Sequence, residues 1–84
     1  MYEVIFSDSA KKQLSLLEPS VRDRIGSAIE RIKIRPLKFA KRLYNSPHYR
    51  VRVDNYRIIL DILETKLIIR VLEIGTRDRI YKNL

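Results

Sequence analysis

Residues 49 to 60, YRVRVDNYRIIL, constrain the fold more tightly than any other part of this 84-residue chain. Two runs with period-two alternation flank Asp54-Asn55, and both of those residues tolerate left-handed backbone, so the segment reads as a β-hairpin with a two-residue loop. That loop fixes the register. Val53 opposes Tyr56, Arg52 opposes Arg57, Val51 opposes Ile58 and Arg50 opposes Ile59. Tyr49, Val51, Val53, Tyr56, Ile58 and Leu60 then share one face, which their apolarity marks as the core side. Arg50, Arg52 and Arg57 share the other face, with Arg52 and Arg57 directly opposed, where like charges destabilise a sheet.

The remaining elements follow from local signals. YEVIF, residues 2 to 6, is short, β-branched and aromatic, which predicts a strand. Ser7 is placed to cap a helix carrying Ala10, Leu14 and Leu17 on one face. Pro19 suits the first turn of a second helix, so Glu18-Pro19 marks the corner of a helical hairpin. Val21, Ile25, Ala28, Ile29 and Ile32 form that helix's apolar stripe, and Gly26 within it implies a close approach to the sheet or the first helix. The helix ends near Ile34, because Arg35 precedes Pro36. Residues 36 to 48 read as a connection with a short strand around Arg42 to Tyr44. Glu64-Thr65 is the expected next turn, followed by the strand LIIRVLEI. Carrying the register through it places Leu72 beside Arg57 and Arg70 beside Ile59. Residues 1–84 are read as one α+β domain.

Charge narrows the class of partner. Lys and Arg number 18 against 10 acids, a net charge of +8, and between Arg31 and Arg57 nine basic residues face a single acid, Asp54. So uneven an excess points to a polyanion such as nucleic acid. Cysteine is absent and His48 is the sole histidine, so no metal site and no cofactor is expected. The N-terminus lacks the basic start and long apolar run of a signal peptide, and no apolar run reaches the length of a membrane span. A soluble, cytoplasmic setting is the expectation.

An arginine alone on an outer sheet face is ordinary, since it solubilises and covers apolar surface with its stem. Arg50, Arg52 and Arg57 together, with Arg77 beyond the last strand, require a different explanation: facing cations without acids between them fit an anion. Guanidinium groups bind phosphate oxygens in paired hydrogen bonds, and several around one phosphodiester would also stabilise charge developing on it. Lys41, Arg42 and Arg79 are further candidates for RNA contacts. His48, next to Pro47 at the strand entry, is read as a surface histidine outside the alternating face. Tyr49 and Tyr56 are read as core aromatics.

A strand, a helical hairpin, YRVRVDNYRIIL and the closing IGTRDRIY in that order resemble the RelE/ParE superfamily of toxins from toxin–antitoxin pairs, over almost the whole chain. The resemblance implies two helices packed on a curved antiparallel sheet of about four strands, as in small microbial ribonucleases. It further implies a ribosome-dependent endoribonuclease that cleaves messenger RNA in the ribosomal A site, the RNA's 2′-hydroxyl attacking the adjacent phosphate, and an antitoxin protein as cognate partner. By the same resemblance Arg50 and Arg52 stand where relatives often carry lysine as base and charge stabilisers. Arg57 clamps the scissile phosphate, Arg77 stabilises the leaving oxygen and Tyr81 orients the nucleotide. Arginine is too basic to accept a proton near neutral pH, so this set implies electrostatic stabilisation and positioning in place of a side-chain base. Thr76 also departs from the pattern, many relatives having a basic residue or histidine there. Two other readings share the fold: a ParE-like toxin that acts on DNA gyrase without cutting RNA, and a basic RNA- or ribosome-binding module without chemistry.

Overall fold

The computed structural model describes residues 1–78. Its elements are β1 (Glu3–Phe6), α1 (Asp8–Ser15), α2 (Pro19–Ile34), a single helical turn α3 (Pro36–Phe39), β2 (Lys41–Arg42), β3 (Tyr49–Val53), β4 (Tyr56–Leu63) and β5 (Ile68–Thr76). They form one five-stranded sheet in the order β1-β5-β4-β3-β2. The β2, β3, β4 and β5 pairings are antiparallel, as expected, whereas β1 runs parallel to β5. The sheet is therefore mixed, because the helical hairpin carries the chain from β1 back to the same end before the meander begins. No helix among the described residues is long and apolar enough to cross a membrane.

The local signals at the helix ends act as their chemistry dictates. Ser7 caps α1, its hydroxyl accepting from the Ala10 N–H at 3.0 Å while donating to the Leu72 carbonyl at 2.7 Å. Pro19 occupies the first turn of α2, where its missing N–H leaves no helical bond unmade. Arg35 departs from helical geometry ahead of Pro36. The α3 turn lies within the stretch read as a connection with one short strand; Pro36 starts it, as a proline can at a helix N-terminus, and the strand itself is β2, at Lys41–Arg42 and not Arg42 to Tyr44. Gly26 lacks the close approach expected: a Cβ built there meets nothing within 4 Å, and the residue is exposed.

The core lies between the helices and one sheet face. Ile25, Ala28, Ile29 and Ile32 of α2 pack with Val51, Val53, Ile58, Leu60, Ile69, Val71 and Ile74 of the sheet. Tyr49 and Tyr56 pack partly buried against the same cluster, as the hairpin register requires. That register is the expected one through all five pairs from Tyr49↔Leu60 to Val53↔Tyr56, and Asp54 takes the left-handed conformation with φ 54°.

The β4–β5 register differs from the expectation. The turn spans Glu64 to Leu67, not two residues, with Leu63 pairing Ile68 and Leu67 adopting φ 54°. A bulge follows: Leu60 pairs Val71 but Ile59 pairs Glu73, leaving Leu72 as the extra residue. Consequently Gly75, not Leu72, lies opposite Arg57, and Arg70 lies opposite Asp61, not Ile59. The bulge also reconciles Val71 and Ile74, three apart and both buried, with a core on one side.

α1 completes β5 beyond the end of β1. Gln13 accepts from the Ile74 N–H at 2.7 Å and donates to the Glu73 carboxylate at 2.5 Å, so a side chain occupies the edge that β1 is too short to pair.

Candidate active site

The β3 alternation and the β3–β4 register place Arg50, Arg52, Arg57 and Ile59 on the face away from the helices. Lys41 joins this face through its pairing with Arg50. Arg42 pairs with Tyr49 instead; its guanidinium donates to the Tyr49 hydroxyl at 3.1 Å and lies 5.2 Å from the ring centroid. The hydrogen bond to Tyr49, and then the charge interaction with it, raise the Arg42 pKa, with desolvation acting in the opposite direction.

Toward the hairpin tip, Arg52, Asn55, Arg57, Thr76, Arg77 and Asp78 line a cleft of about 450 Å³. Arg57 was expected at the surface and is instead only 6% exposed, with its Nε buried and unpartnered among the described residues. The cause is positional: β4 is the central strand, and Gly75 across from Arg57 leaves the guanidinium inside the sheet face. Arg52 and Arg77 are exposed. Among the described residues none of Arg50, Arg52, Arg57 or Arg77 is in an ion pair; Asp54, the lone acid of the basic stretch, pairs with Arg24 of α2 at 3.0 Å. A buried Nε left without a partner is costly, and the exposed guanidiniums of Arg52 and Arg77 line the same cleft together with the Asp78 carboxylate.

Arg50 is not brought into that cleft. It opens with Arg42, Tyr44 and His48 onto a cavity of about 700 Å³ beside the β2–β3 connection. His48 differs from its expected role. Its Nδ1 lies 2.6 Å from Asp61 Oδ1, and Arg70 approaches the other Asp61 oxygen at 3.5 Å. His48 therefore continues the arginine row. One further step of the hairpin register, from Tyr49↔Leu60 to residues 48 and 61, contains that signal in the sequence itself. Arg79 and Tyr81 lie outside the described residues.

The model of the ParE toxin of type II toxin–antitoxin systems matches residues 4–81. The chain belongs to the ParE toxin family. This ParE-family toxin, a member of the RelE/ParE superfamily, shares its fold with solved RelE structures. A chain of the intact E. coli RelBE toxin–antitoxin complex aligns with a TM-score of 0.80 at 19% identity, over 90% of the toxin and 96% of that chain. The archaeal RelE–RelB complex from Pyrococcus horikoshii gives 0.79 at 24% identity over 93% and 97% of the two chains. That from Methanococcus jannaschii gives 0.74 at 26% identity over 95% and 98%. Comparison with curated protein sequences yields no significant match. The ParE-family toxin thus has the α+β architecture the resemblance implies, with the mixed β1–β5 pairing as its refinement.

Proposed function

We propose that this toxin is an endoribonuclease that cleaves messenger RNA, in the ribosomal A site, by attack of a 2′-hydroxyl on the adjacent phosphate. One observation carries the reading: Arg57 is buried with its Nε unpartnered among the described residues, in a cleft that Arg52 and Arg77 also line. A phosphodiester supplies the missing negative charge, and the pentavalent transition state, with one more negative charge, gains more from the same donors than the ground state does. Arg57 holds the phosphate, Arg52 flanks it, Arg50 contacts the RNA strand further along β3 outside the cleft, Arg77 stabilises the leaving oxygen, and Tyr81 orients a nucleotide. Lys41, Arg42 and Arg79 extend the basic surface for the RNA strand. Attack forms the O2′–P bond and breaks the P–O5′ bond, leaving a cyclic phosphate and a 5′-hydroxyl. An antitoxin that binds and silences the toxin is the partner, supported by the solved RelB complexes of the similar chains.

Primer extension on messages from cells expressing the toxin tests the reading. New 5′ ends within reading frames, absent with Arg57→Ala, are expected; intact messages during growth arrest would refute it. The ParE family match favours a second reading, a toxin that traps DNA gyrase without cutting RNA. Gyrase–DNA breaks that survive replacement of Arg57 and Arg77 would support that alternative over the nuclease.

A further inference from the structure

Further along the outer sheet face, away from the hairpin tip, Arg50 opens onto the cavity of about 700 Å³ beside the β2–β3 connection, which has no part in the phosphate chemistry of the cleft. Resting on the nuclease reading above, we propose that this cavity is a second RNA subsite. Tyr44 stacks there on the base of a nucleotide further along the strand held in the cleft, and Arg42 and Arg50 bind its phosphate.

Tyr44 is the side chain that most needs an occupant. It is 92% exposed, more than any other large apolar residue among those described, whereas tyrosine ordinarily covers much of its ring. The loop that carries it has a defined shape. The Leu43 N–H donates to the His48 carbonyl at 2.9 Å, the Ser46 N–H to the Leu43 carbonyl at 3.3 Å and the His48 N–H to the Ser46 hydroxyl at 3.1 Å, while Asn45 takes the left-handed conformation at φ 54°. These bonds close residues 43 to 48 into a turn that keeps Tyr44 in solvent.

The cavity walls are preset as well. The Arg42 guanidinium is fixed by the Tyr49 hydroxyl at 3.1 Å, and the His48 imidazole by Asp61 at 2.6 Å. Arg50 has no ion pair among the described residues, and no carboxylate lines this cavity, whereas Asp78 lines the cleft. Two guanidiniums and an open aromatic ring around one space match a nucleotide, with a phosphate for the cations and a flat base for the ring. An acidic peptide would use the guanidiniums but offer the ring no flat partner.

Register links the cavity to the cleft. Arg50 and Arg52 lie on one face of β3, about 7 Å apart along the strand, and Lys41 pairs beside Arg50. An RNA strand that leaves the cleft past Arg52 therefore meets Arg50 next and Tyr44 after it. No bond is made or broken in this subsite. Because every base has a π-face, it adds affinity and positions the strand without selecting a base.

The chain contains no tryptophan, so Tyr44→Trp places a sole fluorescent reporter at the cavity. Titration with a single-stranded RNA whose 2′-hydroxyls are methylated, and which therefore cannot be cleaved, is expected to quench that emission. Adding Arg57→Met to the Tyr44→Trp protein should shift the same titration to higher RNA concentration, because one strand occupies both places. Tyr44→Ala should weaken RNA binding about 5- to 150-fold, the cost of one lost base stack, with the thermal midpoint and the log–log salt slope unchanged because no phosphate contact is removed. Tyr44→Phe, which keeps the ring, should bind as wild type does. Wild-type affinity in Tyr44→Ala, or steady Tyr44→Trp emission at saturating RNA, overturns the inference and leaves the nuclease reading to primer extension. A titration unmoved by Arg57→Met assigns the cavity to a separate RNA and also overturns it. An emission change with polyglutamate and none with RNA overturns it in favour of an acidic protein segment. The full set of expected binding results from a protein that never cuts messages sustains the subsite and overturns the nuclease reading alone.

Discussion

The two ends of the outer sheet face treat positive charge in opposite ways. At the end away from the hairpin tip, His48, Asp61 and Arg70 form a chain in which the imidazole and the guanidinium each meet an Asp61 carboxylate oxygen. At the hairpin tip, Arg52, Arg57 and Arg77 line a cleft without an ion pair among the described residues, and the most buried of them is the least satisfied. Both ends draw on the β3–β4 hairpin and on β5, so the difference lies in which residues stand opposite the basic side chains. An aspartate faces residue 48, whereas an arginine and a glycine face Arg52 and Arg57. Paired charge organises its own end of the sheet; unpaired charge is available to something outside the protein.

The largest expected break in this comparison comes from Arg57. Arg57→Met should lower kcat/KM for RNA cleavage about 100- to 1,000-fold, measured on programmed ribosomes, as for loss of one transition-state donor. The same change should raise the thermal midpoint, because replacing a buried, poorly compensated ion with an apolar side chain is often worth about 1–4 kcal/mol. A variant both inactive and less stable would show that Arg57 supports the fold, contrary to its being held there for a ligand. Thr76→Glu makes the cleft end resemble the paired end by adding a carboxylate among its arginines. It should cut cleavage about 10-fold, through like-charge repulsion with phosphate, while changing stability by less than about 1 kcal/mol.

Salt titrations of binding to a noncleavable single-stranded RNA separate the ends further. Arg52→Ala should reduce the log–log salt slope by about 0.7, the value for one lost phosphate contact, and Arg70→Ala should leave it unchanged. Equal effects would abolish the distinction. The smallest effect belongs to a site remote from both ends. Gly26→Ala should add about 1 kcal/mol by urea unfolding, since a Cβ there meets nothing within 4 Å, and should leave the cleavage rate at the wild-type value. It sets the scale for stability changes that have no functional consequence.

Much of this arrangement was legible in the chain. Short-range rules carried the hairpin register, the Ser7 cap and the apolar stripe of α2, because a two-residue loop or a cap depends on neighbours a few positions away; α1 ends at Ser15, before the Leu17 expected on its stripe. The β4–β5 register was not legible. A four-residue turn with leucine in the left-handed region has no strong sequence signature, and a bulge at Leu72 depends on the packing of Val71 and Ile74 against helices far along the chain. The same limit concealed the burial of Arg57, which follows from the central position of β4 and from Gly75 opposite. His48 is a different case. Its partner Asp61 stands one pair further along the hairpin register, a signal masked by Pro47 beside it, which marks a surface loop.

The surplus residue at Leu72 gives β5 a phase change partway along its length. Upstream of it odd-numbered residues Ile69 and Val71 point inward, and downstream the even-numbered Ile74 does. Gly75 reaches its place across from Arg57 only because of that switch. The strand is therefore sensitive to spacing as well as to identity: deleting one residue here would leave nearly the whole composition intact, yet it would exchange inside for outside and dismantle the cleft.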